Sequence, residues 1–125
     1  MERLVTIQKR NNLNTVYRCI EKGPGGGHHD YFICLTPYDL ENIPERHLIP
    51  IKFQKGPRSD ENARQGVMNE DLLEIVRDRL KSFQEGPYAS RENACALTHI
   101  EEALMWLNKR AEDRAERGVL GTMEK

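Results

Sequence analysis

The sequence is poor in the features that mark several large classes of protein. No run of apolar residues approaches the roughly twenty that cross a bilayer, and the N-terminal MERLVTIQKR lacks the apolar core of a signal peptide. The three cysteines have no CxxC spacing, which argues against a paired zinc or redox motif and suits free thiols in a reducing compartment. We therefore expect a cytoplasmic protein that does not contact a membrane.

Unbalanced positive charge is also missing. Lys and Arg number 19 against 20 Asp and Glu, which leaves a formal net charge of -1. Proteins that grip long DNA or RNA depend on many unbalanced cationic contacts to phosphates, so this composition argues against a nucleic-acid polymer as partner. It leaves room for a local basic site that binds a small anion.

What the sequence does contain is a helical hairpin. Apolar residues recur at helical spacing on both sides of Gly86 and Pro87, which provide the stop between two limbs. Asn69 is the expected N-cap of the first limb, which is about fifteen residues long, and Ser90 is the expected N-cap of the second. The second limb continues to Gly118 and is nearly twice as long, so its far end must face solvent or another subunit.

The residues before the hairpin favour a small sheet. Four segments have the alternation or the β-branched and aromatic content of strands, namely residues 4–8, 14–20, 31–36 and 51–54. The second and third are predicted to pair antiparallel across a glycine-rich loop. Residues 37–50 and 54–66 are polar and rich in turn residues, and both are expected to be irregular; the latter is either a solvated linker or a functional loop.

The predicted fold class is therefore α+β. Residues 1–66 form a small N-terminal antiparallel sheet with its loops, and residues 67–125 form a C-terminal antiparallel helical hairpin with a long second helix. With 125 residues the chain has room for one domain that folds without disulfides or metals, so we expect the two parts to form a single domain over 1–125.

The glycine-rich loop EKGPGGGHHD offers no recognisable catalytic motif. It fits neither GxGxxG nor a P-loop, and is expected to be a flexible connection or a lid near a ligand. His28 and His29 are adjacent, so their side chains point apart in an extended chain, and no paired ligand spacing accompanies them. We predict no metal site and no catalytic residues.

The far end of the second limb carries two arginines on one face. Arg110 and Arg114 are four residues apart, one turn beyond Trp106. They belong either to a solvated, salt-bridged helix end or to a binding site. On an overhanging helix their replacement by Ala is expected to change stability little. Met105 and Trp106 have no assigned partner within the chain, which favours a homo-oligomer.

From Lys52 to Thr122 the sequence resembles a known family. The motifs FQ-x-GP, REN-x-x-ALT, EEAL-x-WL and DR-x-x-RG-x-x-GT are together too long for a chance match. They resemble the helical-hairpin domain of bacteriophage anti-defence proteins, and in particular the Thoeris anti-defence sponge family. That resemblance implies a small antiparallel sheet before the hairpin.

The resemblance also implies a function without catalysis, exerted in the infected bacterial cell. Members of the family bind cyclic ADP-ribose isomers, the signals that TIR-domain enzymes make from NAD, and hold them without cleaving them. The same hairpin occurs in phage anti-CBASS sponges, which capture cyclic di- and trinucleotides, so these ligands are the alternative or an addition. The expected assembly is a homodimer with pockets between subunits, and a hexamer built from such dimers is a further form that the resemblance allows. No cofactor is expected.

Six residues are expected to bind the ligand, five of them because they match the family. Arg110 and Arg114 match the phosphate-facing arginines of the family, and Phe83 matches its stacking aromatic. Asn93 matches an amide near the start of the long helix, and Arg58 a basic residue after the KGP turn. Arg91 is added because a helix N-terminus also attracts anions. Phe83 also belongs to the apolar stripe of the first limb, so a core role and a stacking role both remain open.

Two other functions compete with the sponge. A hydrolase of the same nucleotides would use His28 and His29 as acid and base, but the chain has no nucleophile motif to support it. A regulator that binds RNA or DNA would use the basic helix end, where Glu112, Asp113 and Glu116 would repel a phosphate backbone.

Overall fold

The computed structural model describes residues 1–8 and 13–125. This part of the chain divides into two compact units, Met1–Gly66 and Val67–Lys125. The first contains an antiparallel sheet and the second contains two helices, which confirms the predicted α+β class. No helix in the described residues is long and apolar enough to cross a membrane.

The sheet has four strands in sequence order. They are β1 (Glu2–Arg3), β2 (Asn14–Arg18), β3 (Asp30–Leu35) and β4 (Leu48–Lys52), and each strand is antiparallel to the next. Cys34, in the central strand β3, is only 1% exposed. The rings of Tyr31 and Phe53 meet edge to face with centroids 5.6 Å apart. The antiparallel pairing of the second and third predicted strands is confirmed.

Two of the predicted strands are displaced. The strand expected at residues 4–8 is wrong: β1 is formed by Glu2–Arg3. Glu2 faces Arg18 in register, and an Oε2–Nη2 contact of 3.0 Å joins their side chains, whereas Ile7 is fully exposed. β4 begins before the expected 51–54 and includes Pro50, which is tolerated because β4 is an edge strand and proline lacks the N–H that a central strand needs.

The segment 54–66 is anchored to the sheet unit by Arg64. The backbone of Arg64 makes two hydrogen bonds of 2.9 Å with the backbone of Lys55. Its guanidinium donates from Nη1 to Asp30 Oδ1 at 2.7 Å, and from Nη2 to the carbonyls of Phe53 at 3.0 Å and His29 at 3.2 Å. One basic residue of this segment is therefore structural, and the segment is more than a solvated linker.

The second unit is the hairpin of α1 (Asn69–Gln84) and α2 (Arg91–Glu116). The N-cap predicted for α1 is off by one residue: Met68 occupies that position, and its N–H donates to Asp71 Oδ2 at 2.8 Å. The N-cap of α2 is confirmed, because Ser90 Oγ accepts the N–H of Asn93 at 3.1 Å.

The helix α2 ends just before Gly118, as the sequence predicts. Gly118 has a φ of 72°, a left-handed conformation that side chains other than glycine's rarely adopt. The N–H of Val119 donates to the carbonyl of Arg114 at 3.0 Å, and that of Gly118 to the carbonyl of Ala115 at 3.0 Å. This pair of bonds is a Schellman motif, and it turns the chain back at the end of the helix.

Side chains hold the two helices in register. The side-chain amide of Gln84 binds both backbone polar groups of Ser90. Its Oε1 accepts the Ser90 N–H at 2.9 Å, and its Nε2 donates to the Ser90 carbonyl at 3.1 Å. Further along, Arg77 Nε contacts Glu101 Oε2 at 2.8 Å. The hydrogen bonds that Arg77 donates to Glu101 and then to Glu74 raise the pKa of its guanidinium.

Candidate functional site

Phe83 lies in the last turn of α1 with its ring partly open to solvent. The residue is 38% exposed, so the structure does not place it in a core. The guanidinium carbon of Arg79 lies 5.5 Å from the ring centroid. An arginine at this distance over an aromatic face forms a cation–π contact. The hairpin therefore presents an aromatic ring and a cation together at its turn end.

Arg91 and Asn93 lie in the first turn of α2, at the same turn end of the hairpin. The side chain of Arg91 is exposed, and within the described chain neither side chain makes a hydrogen bond or an ion pair. The first N–H groups of a helix have no partner inside the helix and attract negative charge. These two residues are thus available to a polar or anionic ligand.

Arg110 and Arg114 share a face of α2 but differ completely in surroundings. Arg110 is exposed and has no hydrogen bond or ion pair among the described residues. Arg114 is only 8% exposed. Its guanidinium donates to the carbonyls of Val119, Thr122 and Glu124 at distances of 3.0, 3.0 and 2.7 Å.

The premise behind the expected small effect of replacing Arg114 on stability is therefore wrong. It assumed an arginine on a solvated overhang, whereas this guanidinium fastens the residues that follow α2. The predicted salt-bridged helix end holds only in part, since Lys109 Nζ contacts Asp113 Oδ2 at 3.5 Å on the exposed side. Backbone carbonyls, and not carboxylates, are the acceptors that bury Arg114.

Arg58 belongs to the other compact unit, the sheet unit. It follows Gly56 and Pro57 in an exposed turn, and its side chain makes no ion pair within the described residues. Gly56 has a φ of 95°, and a Cβ on it would lie 2.9 Å from the Cβ of Ala63. Glycine is thus required at this turn both for its backbone conformation and for space.

The predicted ligand residues of α2 lie at opposite ends of the helix. Asn93 is in the first turn and Arg110 is in the second half, so at ~1.5 Å per residue they are about 26 Å apart along a straight helix. A single small nucleotide is too short to contact both. Two copies of the hairpin with their long helices antiparallel would bring the turn end of one against the far end of the other.

The hairpin exposes apolar surface suited to such packing. No residue of α1 is buried, and in α2 the only buried residue is Arg114. Val76 is 44% exposed, and Met105 and Trp106 are each 70% exposed. Isolated exposed apolar residues are common in monomeric proteins. Two helices without a single buried apolar residue, however, have apolar surface that a partner can bury.

A groove of about 650 Å³ on the hairpin unit contains none of the predicted ligand residues. Its charged lining comprises three carboxylates, from Glu70, Glu74 and Glu101, and the guanidinium of Arg77. Arg77 is already paired with two of these carboxylates. The excess of negative charge makes the groove unsuitable for a pyrophosphate.

The histidines of the glycine-rich loop are both bound to backbone carbonyls. His28 Nδ1 lies 3.0 Å from the carbonyl oxygen of Cys19, and His29 Nε2 lies 2.9 Å from that of Pro24. A carbonyl only accepts, so in each ring the nitrogen that faces the carbonyl is the donor. Within residues 1–8 and 13–125, no three His, Cys, Asp or Glu side chains are grouped as metal ligands.

Comparison with known proteins agrees with this architecture. The family model described as Acb2/Tad1, hairpin domain matches residues 45–112. A protein named Thoeris anti-defense 1, from Bacillus phage SBSphiJ7, is 54% identical over 78 residues, which are 62% of this chain and 54% of that protein. The matched region thus spans about half the length of this curated relative.

Because the family model covers more than half of the residues, the chain belongs to the Acb2/Tad1 hairpin family. The resemblance to the bacteriophage anti-defence family is thereby confirmed. The matched range contains Arg58, Phe83, Arg91, Asn93 and Arg110, whereas Arg114 lies just beyond it.

Proposed function

We propose that this protein is a phage anti-defence sponge that binds cyclic ADP-ribose isomers made by the TIR enzymes of Thoeris and holds them without cleavage. The observation that carries the proposal is the 54% identity to a Thoeris anti-defense 1 protein, together with a family match across the hairpin. Sequestration acts by mass action: a protein that is abundant and binds tightly lowers the free concentration of the signal, so the effector is not activated.

The exposed groups of the hairpin suit the chemistry of this ligand. A cyclic ADP-ribose isomer offers a pyrophosphate, an adenine face and ribose hydroxyls. The exposed ring of Phe83 provides a stacking surface, and the guanidinium of Arg110 is a planar donor fork for phosphate oxygens. The amide of Asn93 donates and accepts, as recognition of hydroxyls and base edges requires.

The site requires two copies of the chain. In one copy the stacking and amide groups lie at the turn end of the hairpin, and Arg110 lies about 26 Å further along α2. In an antiparallel homodimer each turn end meets the partner's far end, which creates two equivalent sites. The exposed Met105 and Trp106 supply apolar surface for that contact. Such dimers can associate further, and a hexamer is the larger assembly we expect.

The groups of the proposed site support binding without cleavage. His28 and His29 are not among its groups, and each has one ring nitrogen beside a backbone carbonyl, that of Cys19 and that of Pro24 respectively. Binding in the proposed site instead uses arginine, amide and aromatic groups, which position phosphates and bases but transfer no protons at neutral pH. The protein therefore acts as a binding partner and not as an enzyme.

Calorimetric titration with cyclic ADP-ribose isomers tests the proposal. Replacing Arg110 by Ala removes a charged donor and is expected to weaken binding by about 1.5 to 3 kcal/mol, or on the order of ten- to a hundredfold. Lys109→Ala is the matched control, because it removes the same charge from an adjacent position of the same helix end. The stoichiometry should be one ligand per chain.

Equal affinity of both variants and the wild type would contradict the assignment of Arg110. The same titration with cyclic di- and trinucleotides tests the alternative ligands. If only these bind, the protein is a CBASS-type sponge and the Thoeris assignment is wrong.

A further inference from the structure

Residues 119–125, which follow α2, fold back onto the side chain of Arg114. Three backbone carbonyls of this segment accept hydrogen bonds from that guanidinium: those of Val119 at 3.0 Å, Thr122 at 3.0 Å and Glu124 at 2.7 Å. Arg117 Nη2 donates to the backbone oxygen of Lys125 at 2.8 Å. The C-terminal segment thus covers an arginine that the family resemblance assigns to phosphate binding.

The geometry of these bonds decides what Arg114 can still bind. A guanidinium presents two donor forks, one formed by Nη1–H with Nη2–H and the other by Nε–H with Nη2–H, and each fork uses one of the two Nη2 protons. In this structure Nη2 donates to both Val119 and Thr122, so both of its protons are used. Neither fork is complete, and Arg114 has no bidentate contact to offer a phosphate.

We infer that residues 119–125 form a latch that must leave Arg114 before this arginine can bind the phosphates of the nucleotide. This inference rests on the proposed function and adds to it a competition inside the binding site. In the latched state three carbonyl oxygens satisfy the guanidinium. In the bound state phosphate oxygens replace them, and charged acceptors make stronger hydrogen bonds than carbonyls do.

The latch is held mainly by polar contacts, which is why a ligand can displace it. Leu120 is 55% exposed and Met123 is 64% exposed, so little apolar burial fastens the segment. Within it, Thr122 Oγ1 donates to the Val119 carbonyl at 2.6 Å and accepts the Glu124 N–H at 3.2 Å. Segments with few buried apolar contacts open at low free-energy cost.

The latch lowers the apparent affinity for the nucleotide. When only a fraction of the molecules is open, the apparent Kd is the intrinsic Kd divided by that fraction, so a segment that is open about one tenth of the time weakens binding about tenfold. Loosening the latch should therefore strengthen binding, although no residue that contacts the ligand is changed.

The full-length variant Gly121→Ala/Thr122→Ala tests the inference. Gly121 has a φ of 79°, which Ala adopts with strain, and Thr122 supplies the internal bracing of the segment. Met123→Ala is the control, because it lies in the same segment, is exposed and changes neither the Gly121 backbone position nor the Thr122 hydroxyl. By calorimetry the double variant should bind a cyclic ADP-ribose isomer several-fold more tightly than the wild type, and the control should match the wild type.

Hydrogen exchange of the wild type provides a second readout. The amides of Val119, Thr122 and Glu124 are hydrogen-bonded in the latched state, and nucleotide should increase their exchange. Slower exchange of these amides with nucleotide, or unchanged exchange, would overturn the latch, as would equal or weaker binding by the double variant. If neither protein binds any cyclic nucleotide, the proposed function itself fails and the latch has no ligand to gate.

Discussion

Replacing Arg114 by Ala should release the C-terminal segment while leaving the helical hairpin folded. Each of its three hydrogen bonds has a charged donor, and a hydrogen bond of this kind contributes about 1.5 to 3 kcal/mol to stability. In the variant, water can hydrogen-bond to the three carbonyls that lose their donor. The total loss of stability is therefore smaller than the sum of the three hydrogen-bond energies. We expect the local opening of residues 119–125 to become easier by about 1 to 3 kcal/mol.

Amide hydrogen exchange measures this local effect directly. A change of 1 to 3 kcal/mol corresponds to about five- to 150-fold faster exchange at Val119 and Thr122. Global unfolding in urea should change by less than about 1 kcal/mol, because the hydrogen bonds that are lost hold residues 119–125 and not the two helices.

Arg110→Ala is the matched comparison for this experiment. It removes the same side chain one turn earlier on the same face of α2, where the guanidinium is exposed and makes no hydrogen bond or ion pair within the described residues. Its exchange at residues 119–125 should equal that of the wild type. If Arg114→Ala and Arg110→Ala leave the segment equally protected, Arg114 does not fasten it and the reasoning is refuted.

Three further predictions concern other parts of the molecule. Phe83→Leu should keep the melting temperature and weaken nucleotide binding by about 1 to 3 kcal/mol, since Leu has no aromatic face; unchanged affinity would remove Phe83 from the site. Arg64→Ala should destabilise the sheet unit by about 1 to 3 kcal/mol in urea, because it removes three donors, one of them paired with Asp30. Gln84→Ala should cost about 1 to 2 kcal/mol by the same assay, because it removes both hydrogen bonds to Ser90; no change would mean that the hairpin turn is fixed by other contacts.

The parts of the fold that depend on local signals were predictable from the sequence. Apolar periodicity, Ser90 and the glycines placed α2 correctly, because capping and helix termination are decided by a few adjacent residues. The N-cap of α1 was missed by one position, since Met68 is a poor capping residue whose N–H is satisfied by Asp71 from within the helix. That reciprocal bond is the capping-box arrangement, and the Asp three residues after Met68 was the signal for it.

The contacts that depend on distant backbone atoms were not predictable. Arg64 and Arg114 both read as basic residues of solvated segments, yet each satisfies carbonyl oxygens. No residue pattern marks a carbonyl as an acceptor, because every residue carries one. The short strand β1 was misplaced for a similar reason: cross-strand pairing of Glu2 with Arg18 decided its position, and not the alternation that follows it.

The sequence predicted which residues form the candidate site but not how far apart they lie. The resemblance named Phe83, Asn93 and Arg110, but spacing alone did not show that the turn end and the far end of α2 are too distant for one ligand. The length of the helix in the structure supports a shared site in an oligomer. Light scattering should therefore show a species larger than the 14.5 kDa chain at micromolar concentration.

The central claim is that the protein captures a cyclic ADP-ribose isomer and keeps it intact. The most direct measurement is to incubate the purified protein with the ligand, remove the unbound nucleotide, denature the protein by heat and analyse the released material by mass spectrometry. A sponge should return the intact cyclic nucleotide in an amount close to one equivalent per chain. Release of a linear or hydrolysed product would contradict the account, as would the absence of any retained nucleotide.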